Sequence, residues 1–421
     1  MPTVLVCSQP FTALARSQAK VLGYPDLPLA VTPRPFGACD RDEIRALAAQ
    51  FVDDVARGLC TTSSAPVVVA ATASSPRALL IEAAADWEDA NRLFLERGWG
   101  DGLMLTPPTA ERVARMLRAT TRAPDEVLAF LPPENGAATV ERIAINAVMA
   151  GCHPEYLPVL LAATEAMADP RFALQNIQTT TNPVAVFLVV NGPIARTLGI
   201  NSGPGCLGPG NWANATLGRA IRLIQQNIGG ARPGQKDLST HGQPAKYTCC
   251  CAENEAENPW EPLHVERGYA RDASTVTVVG ALSMLNMSMH PKNAVELLRV
   301  IADTMIYPAG SDYCYGGAPW LVLCPEHAHV LKRDGLTKSD VKRALWEQSR
   351  LAASRFTETD FKRTQDARRE ELGTITRDSL LPISPRPDDI SIMVAGGAGP
   401  QSLFVPVTGG HSLSTTREVR L

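Results

Sequence analysis

The chain has 421 residues, 45% of them hydrophobic and 20% charged, with a net charge of -3. Such a length holds two or three ordinary domains, and this balance excludes a disordered or coiled-coil chain. A mildly acidic chain has no overall field for nucleic acid or an anionic membrane surface, and apolar runs such as residues 184–190 fall far short of the roughly 18 residues of a membrane helix.

No Lys or Arg precedes an apolar stretch near the start, so no secretory signal is read and the expected location is the cytoplasm. Ten cysteines at this length do not make a disulfide scaffold, and the expected state is free thiols.

The first sixty residues read as a β-α-β-α piece. Residues 3–7 form a β-branched run, 11–22 a helix closed by Gly23, and 27–31 a second strand ended by Pro33 and Pro35. Asp40 opens a helix with Ile44, Leu47, Ala48, Phe51 and Val55 at helical spacing. No charge falls between Arg57 and Arg77, so residues 61–76 are the expected linker, although 67–70 has strand character.

Beyond the linker, 83–96 is a predicted helix, and Thr109 caps another carrying Val113, Met116 and Leu117. Val140, Ile143, Ala144, Ala147 and Val148 mark one face of a further helix. Strand-like runs follow at 184–190, 275–279, 320–323 and 390–394. Thr337 and Asp340 stand in capping-box spacing ahead of Val341, Ala344 and Leu345. The expected fold class is therefore α/β: a small parallel β-α-β-α N-terminal piece, then a larger mixed α/β or α+β domain over 77–421.

Five loop segments concentrate Gly, Pro, Asn and reactive side chains: 98–109, 146–156, 191–214, 247–268 and 396–400. The fourth, YTCCCAENEAENPWEPLHVERG, is richest in chemistry. If 247–251 is a strand, Cys249 and Cys251 share one face and Cys250 takes the other. A thiolate needs a base or cation, which His264 or Arg267 could return to supply, whereas nearby carboxylates raise a thiol pKa.

The candidate catalytic residues are therefore Cys249 and Cys251 as thiol relays, His264 as proton shuttle, and Glu253 and Glu255 as general acid, base or His-orienting groups. Cys250, Cys251 and His264 are the alternative soft-metal set, and the sequence leaves any other cofactor open. The competing reading is a buried strand of small apolar thiols followed by a solvated acidic loop. Asn146, His153, Asn182 and Asn201 are candidate substrate contacts.

Cys324, His327 and His329 follow a strand, but in a helix starting at Pro325 the two histidines diverge by about 200 degrees. Gly203, Gly205, Gly208 and Gly210 precede a helix starting near Trp212 whose N–H groups could hold an anion, without a P-loop or dinucleotide fingerprint. Neither a G-x-S-x-G elbow nor an H-E-x-x-H helix is present, and His241, His290 and His411 stand alone.

Residues 3–60, VLVCSQPFTALARSQAKVLGYPDLPLAVTPRPFGACDRDEIRALA and onward, resemble the later half of UGSC-type seleno/cysteine proteins, which are related to the selenoprotein component of glycine reductase. Pro33, Arg34, Pro35, Phe36 and Gly37 occupy that family's Pro-rich turn. The resemblance covers about one seventh of the chain. It implies a U/C-x-x-C redox motif shortly before the first strand. Here Cys7 lies within the strand and is not half of a C-x-x-C. Either the activity is lost, or a second subunit supplies the motif and completes the parallel sheet. The remainder resembles uncharacterised bacterial sequences found with UGSC-like segments.

Three functions follow as expectations. The first is a subunit for thiol or selenol redox chemistry on a carbon–heteroatom bond of a small polar substrate, with residues 1–60 as the docking half-domain. The second is a metal-dependent or cofactor-free lyase or hydrolase acting through the large domain alone. The third is a non-catalytic assembly subunit.

Overall fold

A computed structural model describes residues 2–36, 39–60, 77–83, 86–308, 310–410 and 412–420. The expected linker 61–76 with its strand-like 67–70, Gly37 of the Pro-rich turn, and His411 lie outside the described residues.

The N-terminal piece runs β1 (Leu5–Ser8), α1 (Thr12–Val21), β2 (Leu29–Thr32) and α2 (Arg41–Cys60). β1 and β2 pair in parallel, Leu5 opposite Leu29 through Ser8 opposite Thr32. Asp40 caps α2 by accepting from the N–H groups of Asp42 and Glu43 at 2.9 and 2.8 Å. The piece touches the rest of the protein through Gln18 Nε2, which donates to Pro133 O at 2.8 Å, and Lys236 Nζ, which donates to Ala13 O at 3.0 Å.

The larger region opens with α3 (Trp87–Glu96), α4 (Ala110–Leu117), the hairpin β3 (Val127–Leu131) and β4 (Gly136–Thr139), α5 (Val140–Ala150), α6 (Leu157–Met167) and α7 (Leu174–Thr179). β5 (Ala185–Asn191), α8 (Pro193–Thr197), α9 (Trp212–Asn227), β6 (Cys250–Ala252), α10 (Leu263–Glu266), β7 (Thr275–Ala281) and β8 (Leu285–Ser288) follow. Then come α11 (Ala294–Met305), α12 (Ser311–Tyr315), β9 (Trp320–Leu323), α13 (Pro325–Arg333), α14 (Lys338–Gln348), the short β10 (Leu351–Ala352), α15 (Glu358–Ala367), α16 (Arg369–Leu372) and β11 (Leu380–Leu381). β12 (Ser391–Val394), β13 (Gln401–Val405) and β14 (Thr415–Glu418) close the chain.

These elements form two mixed four-stranded sheets packed face to face. One has the order β14-β7-β5-β6 and the other β12-β9-β13-β8. β5 pairs parallel with β6 and antiparallel with β7, while β9 pairs parallel with β12 and antiparallel with β13. Phe187, Val189, Val279, Trp320, Val322, Met393 and Val405 fill the space between the sheets. The alternate residues Val186, Leu188, Val190 and Val276 face α5, α6 and α9, and Leu321, Leu323, Ile392 and Phe404 face α11, α13 and α14. The result is a helix–sheet–sheet–helix sandwich. β5 and β7 are buried on both faces, so β5 is an apolar run ended by Asn191, and in β7 even Thr275 and Thr277 are buried between the valines. No helix among the described residues is long and apolar enough to cross a membrane.

Candidate functional site

β5 and β6 run parallel, and the loops at their carboxyl ends gather most of the acidic loop; in open α/β sheets that end is where ligands bind. Asn191 is the last residue of β5 and Glu253 the first after β6. Glu253 is 3% exposed. It accepts from Asn191 Nδ2 at 2.5 Å, Leu263 N at 2.7 Å, Asn258 Nδ2 at 2.8 Å and Val394 N at 3.5 Å. Burial pushes its carboxyl up, opposed by Lys338 and by the donors of Leu263 and Asn191. A carboxylate with four donors is a clamp that ties β6, α10 and β12 together.

Glu255 accepts from Gly192 N at 2.6 Å and from Asn191 Nδ2 at 3.2 Å. Its Oε1 also stands 3.8 Å from His264 Nδ1. His264 is fully buried, with Nε2 3.2 Å from Arg271 O and Nδ1 without a hydrogen-bond partner. The structure thus brings Glu253, Glu255 and His264 together, adding Asn191, and buries all of them but Glu255, which stays partly exposed. Nearby, Glu266 is paired with Lys338 and Lys342 on α14.

The three consecutive cysteines are 5%, 3% and 0% exposed. Cys249 precedes β6 and, with Cys251, faces the space between the sheets beside Cys206; Cys250 faces the helix side. Burial pushes the Cys249 and Cys250 thiols up, and Cys251 is pushed up first by its hydrogen bond with Cys206 and then by burial. Cys206 moves the other way: the Cys251 thiol lowers it, and the N–H groups of Cys206, Gly396 and Leu207 add to that against burial. Cys250 and Cys251 point to opposite faces and cannot share one ion with His264. Among the described residues no three His, Cys, Asp or Glu side chains gather as a metal set. Cys324 and His327 meet at the Ser402 hydroxyl, which lies 2.7 Å from His327 Nδ1, while His329 is exposed.

The first three of the five loop segments meet elsewhere, at a surface cleft of about 480 Å³ beside α4 and the start of α9. Its lining includes Arg112, Arg115, Cys152, His153, Glu155 and Trp212. The His153 ring stacks on Tyr156 with centroids 5.4 Å apart and meets the Trp212 ring edge-on at 5.2 Å. Trp212 Nε1 donates to Gly151 O at 2.8 Å, which fixes a ring that is 62% exposed. The half-buried Cys152 donates to Thr216 O at 3.3 Å, and burial pushes its thiol up to about 12. The glycine-rich loop joins both places: Asn201 accepts from Gly203 N and donates to Pro204 O, and Asn214 Nδ2 donates to Asn201 O and Cys206 O, two residues past Trp212.

The N-terminal piece is open where a parallel sheet is normally covered on both faces. Leu5 and Val6, neighbours pointing to opposite faces of β1, are 39% and 43% exposed. Residues 1–61 match the UGSC family. That match relates the UGSC-like piece to selenoprotein-type components of the glycine reductase kind. No curated protein and no solved structure was found to match the chain.

Outside the UGSC-like piece, two of the anticipated substrate contacts lie away from both places. Asn146 is buried on α5, donating to Arg142 O and accepting from Asn227, and Asn182 is exposed beside Ser239. Sequence reasoning did not single out Asn191, Cys152, Cys206, Arg112 or Arg115 as site residues. The signal available for Asn191 was a polar residue ending an otherwise apolar strand. For Cys152 it was adjacency to His153 just past the helix end at Gly151.

Proposed function

We propose that the chain is a subunit of an enzyme doing thiol or selenol chemistry on a carbon–heteroatom bond of a small polar molecule, with the redox motif brought by a second chain docking at β1. The observation that carries this reading is the β1 strand of the UGSC-like piece, which is exposed and, among the described residues, pairs only with β2; an open edge is a liability unless covered. No two cysteines of the 421 residues have C-x-x-C spacing. The Cys249–Cys251 run is buried, which supports a relay or packing role and not first contact with a substrate. In such a reaction the partner's dithiol or selenol–thiol pair gives up two electrons and two protons. The carbon–heteroatom bond becomes C–H and H–heteroatom, and the pair closes to a disulfide or selenosulfide.

A second reading, lyase or hydrolase chemistry by the large region alone, draws on the cleft, where His153, Glu155 and two arginines meet without a partner. Native mass spectrometry of the protein purified without oxygen from its own host separates them. The expected result is a complex with a chain carrying C-x-x-C or selenocysteine, lost on Val6→Glu with an unchanged melting temperature. A homo-oligomer or monomer that turns over substrate alone overturns the partner reading in favour of the second.

A further inference from the structure

We propose that the cleft between α4, the turn joining α5 to α6, and the start of α9 binds a small planar carboxylate, its anionic end held by Arg112 and Arg115 and its ring on Trp212 and His153. The cleft's size, about 480 Å³, is that of a small-molecule site. Its charge is uneven: two guanidinium groups against the single carboxylate of Glu155, so one negative charge brought by a ligand balances it.

Arg112 spends one nitrogen on Pro107 O at 3.0 Å, which fixes its direction while leaving other donors. The Arg115 side chain is exposed and has no hydrogen-bond or ion-pair partner among the described residues. Guanidinium forks match carboxylates two bonds at a time, which sets orientation as well as attraction. Opposite them stand the fixed, largely exposed ring of Trp212 and the exposed His153, itself stacked on Tyr156. An anchored aromatic face in a cleft offers stacking to a flat ligand at little entropic cost. The Cys152 thiol, turned onto Thr216 O and kept protonated by burial, adds no opposing charge.

The walls are built rigidly. Thr106 N donates to Met149 O at 3.1 Å, so the 98–109 loop is pinned to α5 where the arginines face the ligand. This site goes beyond the redox reading and does not depend on the partner.

The test is a titration of the isolated full chain with benzoate, benzamide and inorganic phosphate, followed by tryptophan emission and calorimetry. Saturable benzoate binding is expected, with benzamide and phosphate each at least tenfold weaker. Arg115→Ala should weaken benzoate at least tenfold at an unchanged melting temperature, and Trp212→Phe should remove most of the emission change. Benzamide or phosphate binding as tightly as benzoate overturns the assignment, as does an Arg115→Ala variant with unchanged affinity. Val6→Glu leaves benzoate binding intact, so failure of the docking reading and failure of this one are told apart.

Discussion

Side by side, the cysteines show how far burial decides thiol chemistry. Cys250 and Cys251 sit in β6, with the apolar helix-side core on one face and the inter-sheet core on the other. Desolvation disfavours their thiolates, so they behave as small apolar side chains. Cys60, by contrast, is exposed at the end of α2, and Cys7 and Cys39 are partly so. An aromatic disulfide reagent added to the native protein should therefore modify Cys60 at once and leave Cys249, Cys250 and Cys251 unmodified until the chain unfolds. Peptide mapping of the labelled protein checks this, and rapid labelling anywhere in 249–251 would show that the inter-sheet space opens. The CCC run drew attention in the sequence because reactive side chains are counted there without their surroundings. Its alternation between two cores is what an extended segment entering a buried strand must do.

Among the elements, α9 does more than pack. Arg219 on α9 pairs with Asp101 through two bonds of 2.7 and 2.9 Å and donates to Leu103 O and Met104 O. About two turns further along, Gln226 donates to Gly98 O and Gly100 O, and Asn227 to Trp99 O. The loop that walls the cleft is thus hung from one helix. Asp101 has a side chain only 4% exposed, so Arg219→Ala leaves a buried carboxylate without its counter-charge. The expected loss is roughly 3 kcal/mol in urea unfolding, partly recovered by adding Asp101→Asn. A loss below about 1 kcal/mol would mean that Gln226, Asn227 and the backbone contacts hold the loop without the ion pair.

The helices themselves were legible because period and caps are local: α5 between Thr139 and Gly151, and α14 with its Thr337–Asp340 capping box, fall where the spacing predicts. The 247–251 strand was less so, since only Cys250–Ala252 pairs and Tyr247 ends a 3-10 turn. What no local pattern could give is which loops meet. The bond from Arg219 to Asp101 spans 118 residues, and the Glu253 clamp draws donors from three separate segments.

At the scale of the whole molecule the two sheets repeat one plan: an edge strand parallel to its neighbour, then two antiparallel strands. The chain leaves the first sheet through β7 into β8 and returns from the second through β13 into β14, with the two crossings bridged between Ala281 and Val407. The last strand therefore closes a sheet begun much earlier in the chain, and the sandwich is expected to unfold as one unit. Asp169, just beyond α6, helps to hold that last strand: it accepts from Arg417 on β14 at 2.9 Å and from Arg171 at 3.1 and 2.8 Å. Hydrogen bonding from Arg171 first, against some burial, and then from Arg417, holds its carboxyl well below the usual carboxylate range. A carboxyl depressed on folding contributes stability above its unfolded value of about 3.9, and that contribution fades as pH falls through the unfolded value toward the folded one. Wild type should therefore exceed Asp169→Asn by about 1–2 kcal/mol at neutral pH, a modest figure because both arginines remain partly exposed. Between about pH 5 and pH 3 the gap should narrow as the unfolded chain takes up its proton, and it closes only below the depressed folded value. Urea midpoints for the two proteins across that range decide the matter. Curves that stay parallel would mean that β14 is held by its ladder to β7 and its apolar face, with Asp169 contributing no charge-dependent part.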